Sequence, residues 1–181
     1  MPASLIEFGR DLRRGRVRAP WRDGPAEAPA FAPARRRLFF SVRPLPDGQL
    51  APRMQYAFVD EHGDVLVNSV TGAREPAAVA PWNLEARLEA ICAGAELVAH
   101  HRVLQAGLLP RACMEGAVRV DCAARAFERF ARRRGLHPEP GELLRLDQCL
   151  SLIGLPPVEG EDAVMQALSI RLLWRWIETA R

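Results

Sequence analysis

Apolar and polar positions follow regular patterns along most of the chain after residue 37, and these patterns predict both strands and helices. Three strand-like runs come first, and the second and third are joined by Glu61-His62-Gly63, which predicts a β-hairpin. Two further short strands are interleaved with helical stretches. The predicted strands are Leu38–Val42, Met54–Asp60, Asp64–Val70, Glu96–Ala99 and Ala117–Val120, and the predicted helices are Trp82–Ala93, Arg102–Met114, Cys122–Arg134, Glu142–Ile153 and Asp162–Thr179.

The predicted order of elements is β-β-β-α-β-α-β-α-α-α, which indicates an α/β domain with a mixed sheet covered by helices. We expect three leading antiparallel strands followed by two parallel ones. Asp121 lies directly before the helix that begins at Cys122, and its carboxylate is expected to cap the first N–H groups of that helix.

The first residues differ from the rest in charge and in proline content. Residues 1–37 hold nine arginines against four acidic residues, a net charge of +5, although the whole chain carries only +3. We therefore predict a basic, Pro/Ala-rich N-terminal extension over residues 1–36 and a folded domain over residues 37–181. Leu5, Phe8 and Leu12 recur at helical spacing. The extension is thus either a docking segment for a protein or nucleic acid, or a solvated tail.

Composition narrows the class of protein. With 181 residues, 49% of them hydrophobic, the chain is long enough for one domain with a substantial core. No apolar run approaches the length of a membrane span and no secretory signal is evident, so we expect a cytoplasmic protein with no membrane partner. All 25 basic residues are arginine, so no lysine is present for covalent or base catalysis. The four cysteines form no CxxC pair and are expected to be buried structural thiols.

Three segments resemble the motifs of one enzyme family. They are Leu97-Val98-Ala99-His100-His101, Val120-Asp121-Cys122 and Glu161-Asp162-Ala163-Val164-Met165-Gln166-Ala167-Leu168. Their order and spacing are similar to those of the DnaQ-like 3′–5′ exonucleases, which include the proofreading subunit of bacterial replicative polymerase. The resemblance covers about residues 37–179. It implies a ribonuclease-H-like fold with a mixed five-stranded sheet, and it identifies His100 as the histidine that ends a strand.

The catalytic positions of that family are all changed. The resemblance places its metal ligands and its base on Ser41, Arg43, Gln105, Glu161 and Gln166. Such enzymes use two metal ions to stabilise the attacking and leaving oxygens, and hard cations require anionic oxygen ligands. One arginine, one glutamate and three neutral side chains sum to zero charge. We therefore predict a catalytically inactive member with no metal or other cofactor. Mg²⁺ or Mn²⁺ would be required only in the alternative, an active exonuclease.

Adjacent acids at the hairpin do not replace the lost ligands. Asp60 and Glu61 are neighbours in sequence, so a strand cannot present both carboxylates on one face. Together with Asp64 they bracket the turn at Gly63, and we expect a solvated hairpin tip.

The substitutions leave a binding function open. Arg43 places a cation where the family has an acid, and a guanidinium can hold a phosphate of a nucleotide or of a nucleic-acid 3′ end. The helix that begins at Cys122 carries four arginines at helical spacing, Arg125, Arg129, Arg132 and Arg133, which we call the basic ridge. The alternative for the ridge is a solvated helix face. The alternative for the whole chain is a scaffold that binds a protein partner. The candidate nucleic-acid-binding residues are Arg43, His100, Arg125, Arg129, Arg132 and Arg133.

Overall fold

The computed structural model describes residues 36–45, 53–71, 81–136, 144–156 and 162–180. These residues form a five-stranded sheet with strand order β3-β2-β1-β4-β5. The strands are β1 (Arg37–Leu45), β2 (Arg53–Asp60), β3 (Val65–Val70), β4 (Glu96–Ala99) and β5 (Arg119–Cys122). The helices are α1 (Pro81–Cys92), α2 (Arg102–Ala106), α3 (Arg111–Gly116), α4 (Ala123–Arg133), α5 (Leu146–Leu152) and α6 (Ala163–Thr179).

The sheet is mixed, as predicted. β1 pairs antiparallel with β2, and β2 pairs antiparallel with β3. On its other side β1 pairs in parallel with β4, and β4 pairs in parallel with β5. The α/β class and the arrangement of three antiparallel strands followed by two parallel ones are therefore confirmed.

Helices cover both faces of the sheet and bury a core on each. One face of β1 carries Phe39, which packs with Phe127 of α4 and Leu173 of α6. The opposite face carries Phe40, whose ring stacks on Phe58 of β2 with centroids 5.3 Å apart. Because β1 is central and buried on both faces, its sequence is a continuous apolar run rather than an alternation. The face that carries Phe39 is called the α6 face below.

β1 extends three residues beyond its predicted end and includes Pro44. The parallel pairing with β4 ends at Phe39 and Val98, while the pairing with β2 continues to Leu45. The N–H of Val42 is directed away from β2, towards Gln105, and backbone directions alternate along a strand. The missing N–H of Pro44 therefore falls on the side where no strand follows, which is where a sheet tolerates proline.

Two sequence-based predictions about local structure are wrong. The predicted helix Arg102–Met114 is divided into α2 and α3, because proline at position 110 has no N–H to donate within a continuous helix. Asp121 does not cap α4: it lies in β5, where Arg119 binds its carboxylate at 2.9 Å, and the N-cap residue is Cys122. Asp162 does cap α6, because its carboxylate accepts the N–H of Val164 at 2.9 Å.

Some predictions concern residues outside the described ranges. The N-terminal extension to residue 35, with Leu5, Phe8 and Leu12, and the family position Glu161 lie there. Within the described part of the chain, three of the four cysteines are buried and Cys122 is partly exposed. None of the described helices is long and apolar enough to cross a membrane.

Candidate functional site

The candidate site lies where β1 continues past the end of β4. Alternation along β1 places Ser41 and Arg43 on the α6 face, after Phe39. α6 begins near this end of the strand and carries Gln166, and α2 carries Gln105. Four of the five family positions thus lie at this end of β1, although they come from three separate segments of the sequence.

Ser41 and Gln166 are joined directly. The Ser41 hydroxyl donates to Oε1 of Gln166 over 2.8 Å, and Ser41 is only 1% exposed. Burying a hydroxyl without a partner is costly, so this bond satisfies Ser41 with a neutral acceptor. Two of the positions at which the resemblance expects carboxylates are therefore occupied here by a neutral hydrogen-bonded pair.

Gln105 satisfies a backbone group that the sheet leaves open. Because β4 pairs with β1 only as far as Phe39, the N–H of Val42 has no strand partner on that side. Oε1 of Gln105 accepts this N–H at 2.6 Å. The amide oxygen is thus held by the backbone and serves to close the edge of β1.

Gln55 ties β2 to the start of α6, a contact that the sequence did not reveal. Gln55 lies opposite Arg43 in the antiparallel ladder. Its Nε2 donates to Asp162 at 2.9 Å, and its Oε1 accepts the N–H of Ala163 at 3.2 Å. A helix start needs acceptors for its first N–H groups, but only the strand register decides which side chain supplies one.

Arg43 is half-buried on the α6 face, two residues after Ser41. Glu161, the remaining family position, lies outside the described ranges. What the structure does place here is one permanent cation beside the neutral Ser41–Gln166 pair.

His100 lies at the end of β4 and is enclosed. It is 7% exposed, and its Nε2 lies 2.9 Å from the carbonyl oxygen of Leu144. A carbonyl only accepts, so Nε2 carries the hydrogen and Nδ1 is a bare acceptor, with no partner among the described residues. Burial, with a smaller contribution from the neighbouring His101, lowers the pKa of His100 to about 4. His100 is therefore neutral at physiological pH.

The basic ridge is exposed on α4. Arg125, Arg129, Arg132 and Arg133 all face solvent, while Phe127 on the opposite side is buried. Arg132 binds Glu128 at 2.7 Å, and Nε of Arg133 donates to the carbonyl of Arg129. The guanidinium groups of Arg125 and Arg129 have no ion-pair or hydrogen-bond partner within the described ranges.

The acidic hairpin tip is solvent-facing, as predicted for Glu61 and Asp64. Asp60 has a structural role, because its carboxylate accepts three backbone N–H groups of the turn, each at 2.9 Å. The tip is also anchored to α6, where Nε of Arg171 donates to the carbonyl of Glu61 at 2.9 Å. These contacts indicate that the acidic residues of the tip belong to a structured turn.

The donor set does not fit two metal ions. Ser41, Gln105 and Gln166 are neutral, and the hydrogen bonds described above engage an oxygen of each. Across the described residues, no group of three or more His, Cys, Asp or Glu side chains is arranged to hold a metal ion. Among the described residues, a divalent cation here would meet the guanidinium of Arg43 but no set of carboxylates such as it requires.

No model of a known protein family matches this chain, and no curated protein sequence matches it. The relationship to DnaQ-like exonucleases therefore stays a prediction from the motifs.

Proposed function

We propose that this chain is a ribonuclease-H-like domain related to the DnaQ-like 3′–5′ exonucleases, and that it binds single-stranded nucleic acid without cutting it. The observation that carries the proposal is the hydrogen bond between Ser41 and Gln166 at the end of β1. It joins two of the positions at which the resemblance expects metal-binding carboxylates, and both side chains are neutral. Strand order β3-β2-β1-β4-β5 is compatible with this relationship.

Absence of cutting follows from the charge of the site. Metal-assisted hydrolysis requires cations that activate water and neutralise the leaving oxygen. Neutral Ser41 and Gln166 do not attract such cations, and Arg43 repels them. Without a metal ion, none of the described residues at the site lowers the pKa of an attacking water molecule.

Binding follows from the arginines. A guanidinium contacts a phosphate through paired hydrogen bonds, and Arg43 lies on the same sheet face as Ser41. The basic ridge begins close to the same edge of the sheet, because the N–H of Ala124 in α4 donates to the carbonyl of His100. From Arg125 to Arg133 the ridge covers nine helical residues, a rise of about 12 Å. Arg125 and Arg129 are the ridge members whose guanidinium groups have no ion-pair or hydrogen-bond partner in the described part of the chain.

The first test combines cleavage and binding on the same 5′-labelled single strands, DNA and RNA separately. Incubation with Mg²⁺ and then with Mn²⁺ should give no shortening. Metal-dependent laddering from the 3′ end that disappears in the Glu161→Ala variant would show an active exonuclease and refute the proposal.

Binding is then measured by fluorescence anisotropy over a series of salt concentrations. We expect affinity to fall with salt, and the double variant Arg125→Gln/Arg129→Gln to reduce the slope of log K against log salt by about 1.4. The matched control is Arg111→Gln/Arg145→Gln, which removes the same charge from exposed arginines that already bind Glu115 and Asp147. Equal effects of the two variants would show nonspecific attraction and contradict a role for the ridge.

Arg43 is tested separately with the same strands and with free nucleotides. If Arg43→Ala leaves both affinities unchanged, the site at the end of β1 does not bind phosphate. Wild-type protein with no affinity for any strand would instead favour a protein scaffold. The exposed side chains of Val103 and Leu104 on α2, 76% and 68% exposed, would then be the first surface to examine.

A further inference from the structure

β5 is the last strand of the sheet on its side, and its outer edge is not paired by any other described strand. Unpaired edges present backbone N–H and C=O groups that can pair with another strand, and proteins usually protect them. This edge is therefore a candidate interaction surface outside the proposed nucleic-acid site.

The direction of the backbone groups follows from the neighbouring strand. The N–H of Glu96 points towards β1, where it binds the carbonyl of Arg36 at 2.9 Å. Because directions alternate, Leu97 directs its N–H and C=O to β5, and Leu97 is in register with Val120. In a parallel ladder, when one residue directs its N–H and C=O towards the neighbouring strand, the residue in register with it directs its own N–H and C=O to the opposite side. The backbone of Val120 thus faces the open edge, where its carbonyl accepts a bond of 3.3 Å from Arg102 and keeps a second lone pair.

The charges along β5 are arranged symmetrically around Val120. Arg119 precedes it and Asp121 follows it, and their side chains share one face, where Nε and Oδ2 are 2.9 Å apart. The side chains are 51% and 30% exposed, respectively. Val118, the residue directly before the strand, is 62% exposed, and its N–H donates to the carbonyl of Ala95 at 2.9 Å.

We propose that β5 pairs antiparallel with β5 of a second copy of this chain, around a two-fold axis at Val120. Arg119 then lies opposite Asp121 of the second copy, and Asp121 opposite Arg119 of the second copy. Val118 lies opposite Cys122 of the second copy. The same patch serves both copies, as a two-fold interface requires. The two sheets join into one continuous sheet.

The charge pattern selects this register. Moving one strand by two residues in either direction places Arg119 opposite Arg119, or Asp121 opposite Asp121. Opposite charges across an antiparallel pair are favourable and like charges are unfavourable. Only the register centred on Val120 makes both pairs complementary, so the sequence of β5 specifies both the partner and the alignment.

Four residues form a short interface, so the dimer should be weak and should depend on concentration. Sedimentation velocity of the full chain over a range of concentrations should show a monomer–dimer equilibrium. The variant Val120→Pro should shift it to monomer. Proline is tolerated on an edge strand when the missing N–H faces outward, so the fold should remain intact, as unfolding curves would verify.

The second variant tests the charges. Asp121→Arg should weaken dimerisation about tenfold, the loss expected when two favourable cross-strand pairs are replaced by repulsive ones. The matched control is Glu115→Arg, which makes the same charge change at an exposed carboxylate that also binds an arginine. Mixing the Asp121→Arg protein with an Arg119→Glu protein should restore dimers, because each strand then meets its opposite charge.

Three results would overturn the inference. The first is a wild-type protein that stays monomeric at the highest concentration reached. The second is a dimer that survives Val120→Pro in a protein that still folds. The third is equal weakening by Asp121→Arg and Glu115→Arg, which would show a general effect of net charge.

Discussion

Acid should destabilise this protein through one buried imidazole, that of His100. Burial lowers the pKa of His100 in the folded chain to about 4, whereas an unperturbed histidine has the value 6.5. His101 lowers this pKa further, while the Leu144 carbonyl and Asp147 oppose the shift. Protonation would also give Nδ1 a hydrogen without an acceptor, because Nδ1 has no partner among the described residues.

The direction of the change in stability depends on whether the folded or the unfolded chain takes up the proton first as the pH falls. As the pH falls below 6.5, the unfolded chain is protonated while folded His100 stays neutral, so the free energy of unfolding decreases. The decrease is complete below pH 4, after a difference of 2.5 pKa units. At about 1.4 kcal/mol per pH unit, the full loss is about 3 kcal/mol, of which about 2 kcal/mol is lost by pH 5.

Urea unfolding between pH 7.5 and pH 4 measures this loss. Carboxylates titrate in the same range, so the informative quantity is the difference between the wild-type protein and His100→Gln. The glutamine amide can still donate to the Leu144 carbonyl but does not titrate. We expect the variant to be less stable at pH 7.5 and to lose about 2 kcal/mol less on moving to pH 5.

His62→Gln provides the control, because it removes an exposed histidine at the hairpin tip. This variant should keep the acid sensitivity of the wild type. Parallel curves for the wild type and His100→Gln from pH 7.5 to pH 4 would refute the argument that burial keeps His100 neutral.

Three substitutions test the candidate site and its supports by equilibrium unfolding. Ser41→Asp should be less stable than Ser41→Asn at pH 7.5, by about 2–3 kcal/mol, because it buries a charge at a position that is 1% exposed. The difference in stability between the two variants should be smaller at pH 5. Equal stability of the two variants at pH 7.5 would show that the site still accepts a carboxylate. Gly63→Ala should cost more than about 1 kcal/mol, because Gly63 has φ +94° and an added Cβ would lie 3.3 Å from the Arg171 guanidinium. Asp162→Ala should cost about 1 kcal/mol through loss of the α6 cap, and an unchanged midpoint would contradict that role.

Four of the five strands could be predicted from sequence because each is a short apolar run between breakers. The fifth, predicted as Ala117–Val120, is displaced by two residues from the observed Arg119–Cys122. Glu96–Ala99 was predicted with its observed bounds, and the hairpin was predicted within one residue at each strand. The break between α2 and α3 was missed, because the apolar pattern continues through it and only Pro110 marks it. Asp121 was predicted to cap a helix for a related reason, because a polar residue just before a helix can equally well belong to the end of a strand.

Individual contacts at the site could not be predicted in the same way. Motif alignment placed Ser41 and Gln166 at corresponding catalytic positions, but the hydrogen bond between them spans 125 residues of chain and depends on the packing of α6 against β1. The link from Gln55 to Asp162 was not predicted at all. It requires the register of β1 with β2 and the position at which α6 begins, neither of which has a local signal.

The polar contacts at the end of β1 explain why a site without metal ligands need not weaken the fold. A set of buried carboxylates that had lost its metal ions would leave uncompensated charge, which costs several kcal/mol per ion. Replacing one acid alone would leave the others unpaired, whereas Ser41 and Gln166 satisfy each other and Gln105 satisfies the backbone of β1. The stability of the fold at the end of β1 therefore does not depend on a bound metal ion. The hydrogen bonds of these three residues also attach α6 and α2 to the central strand.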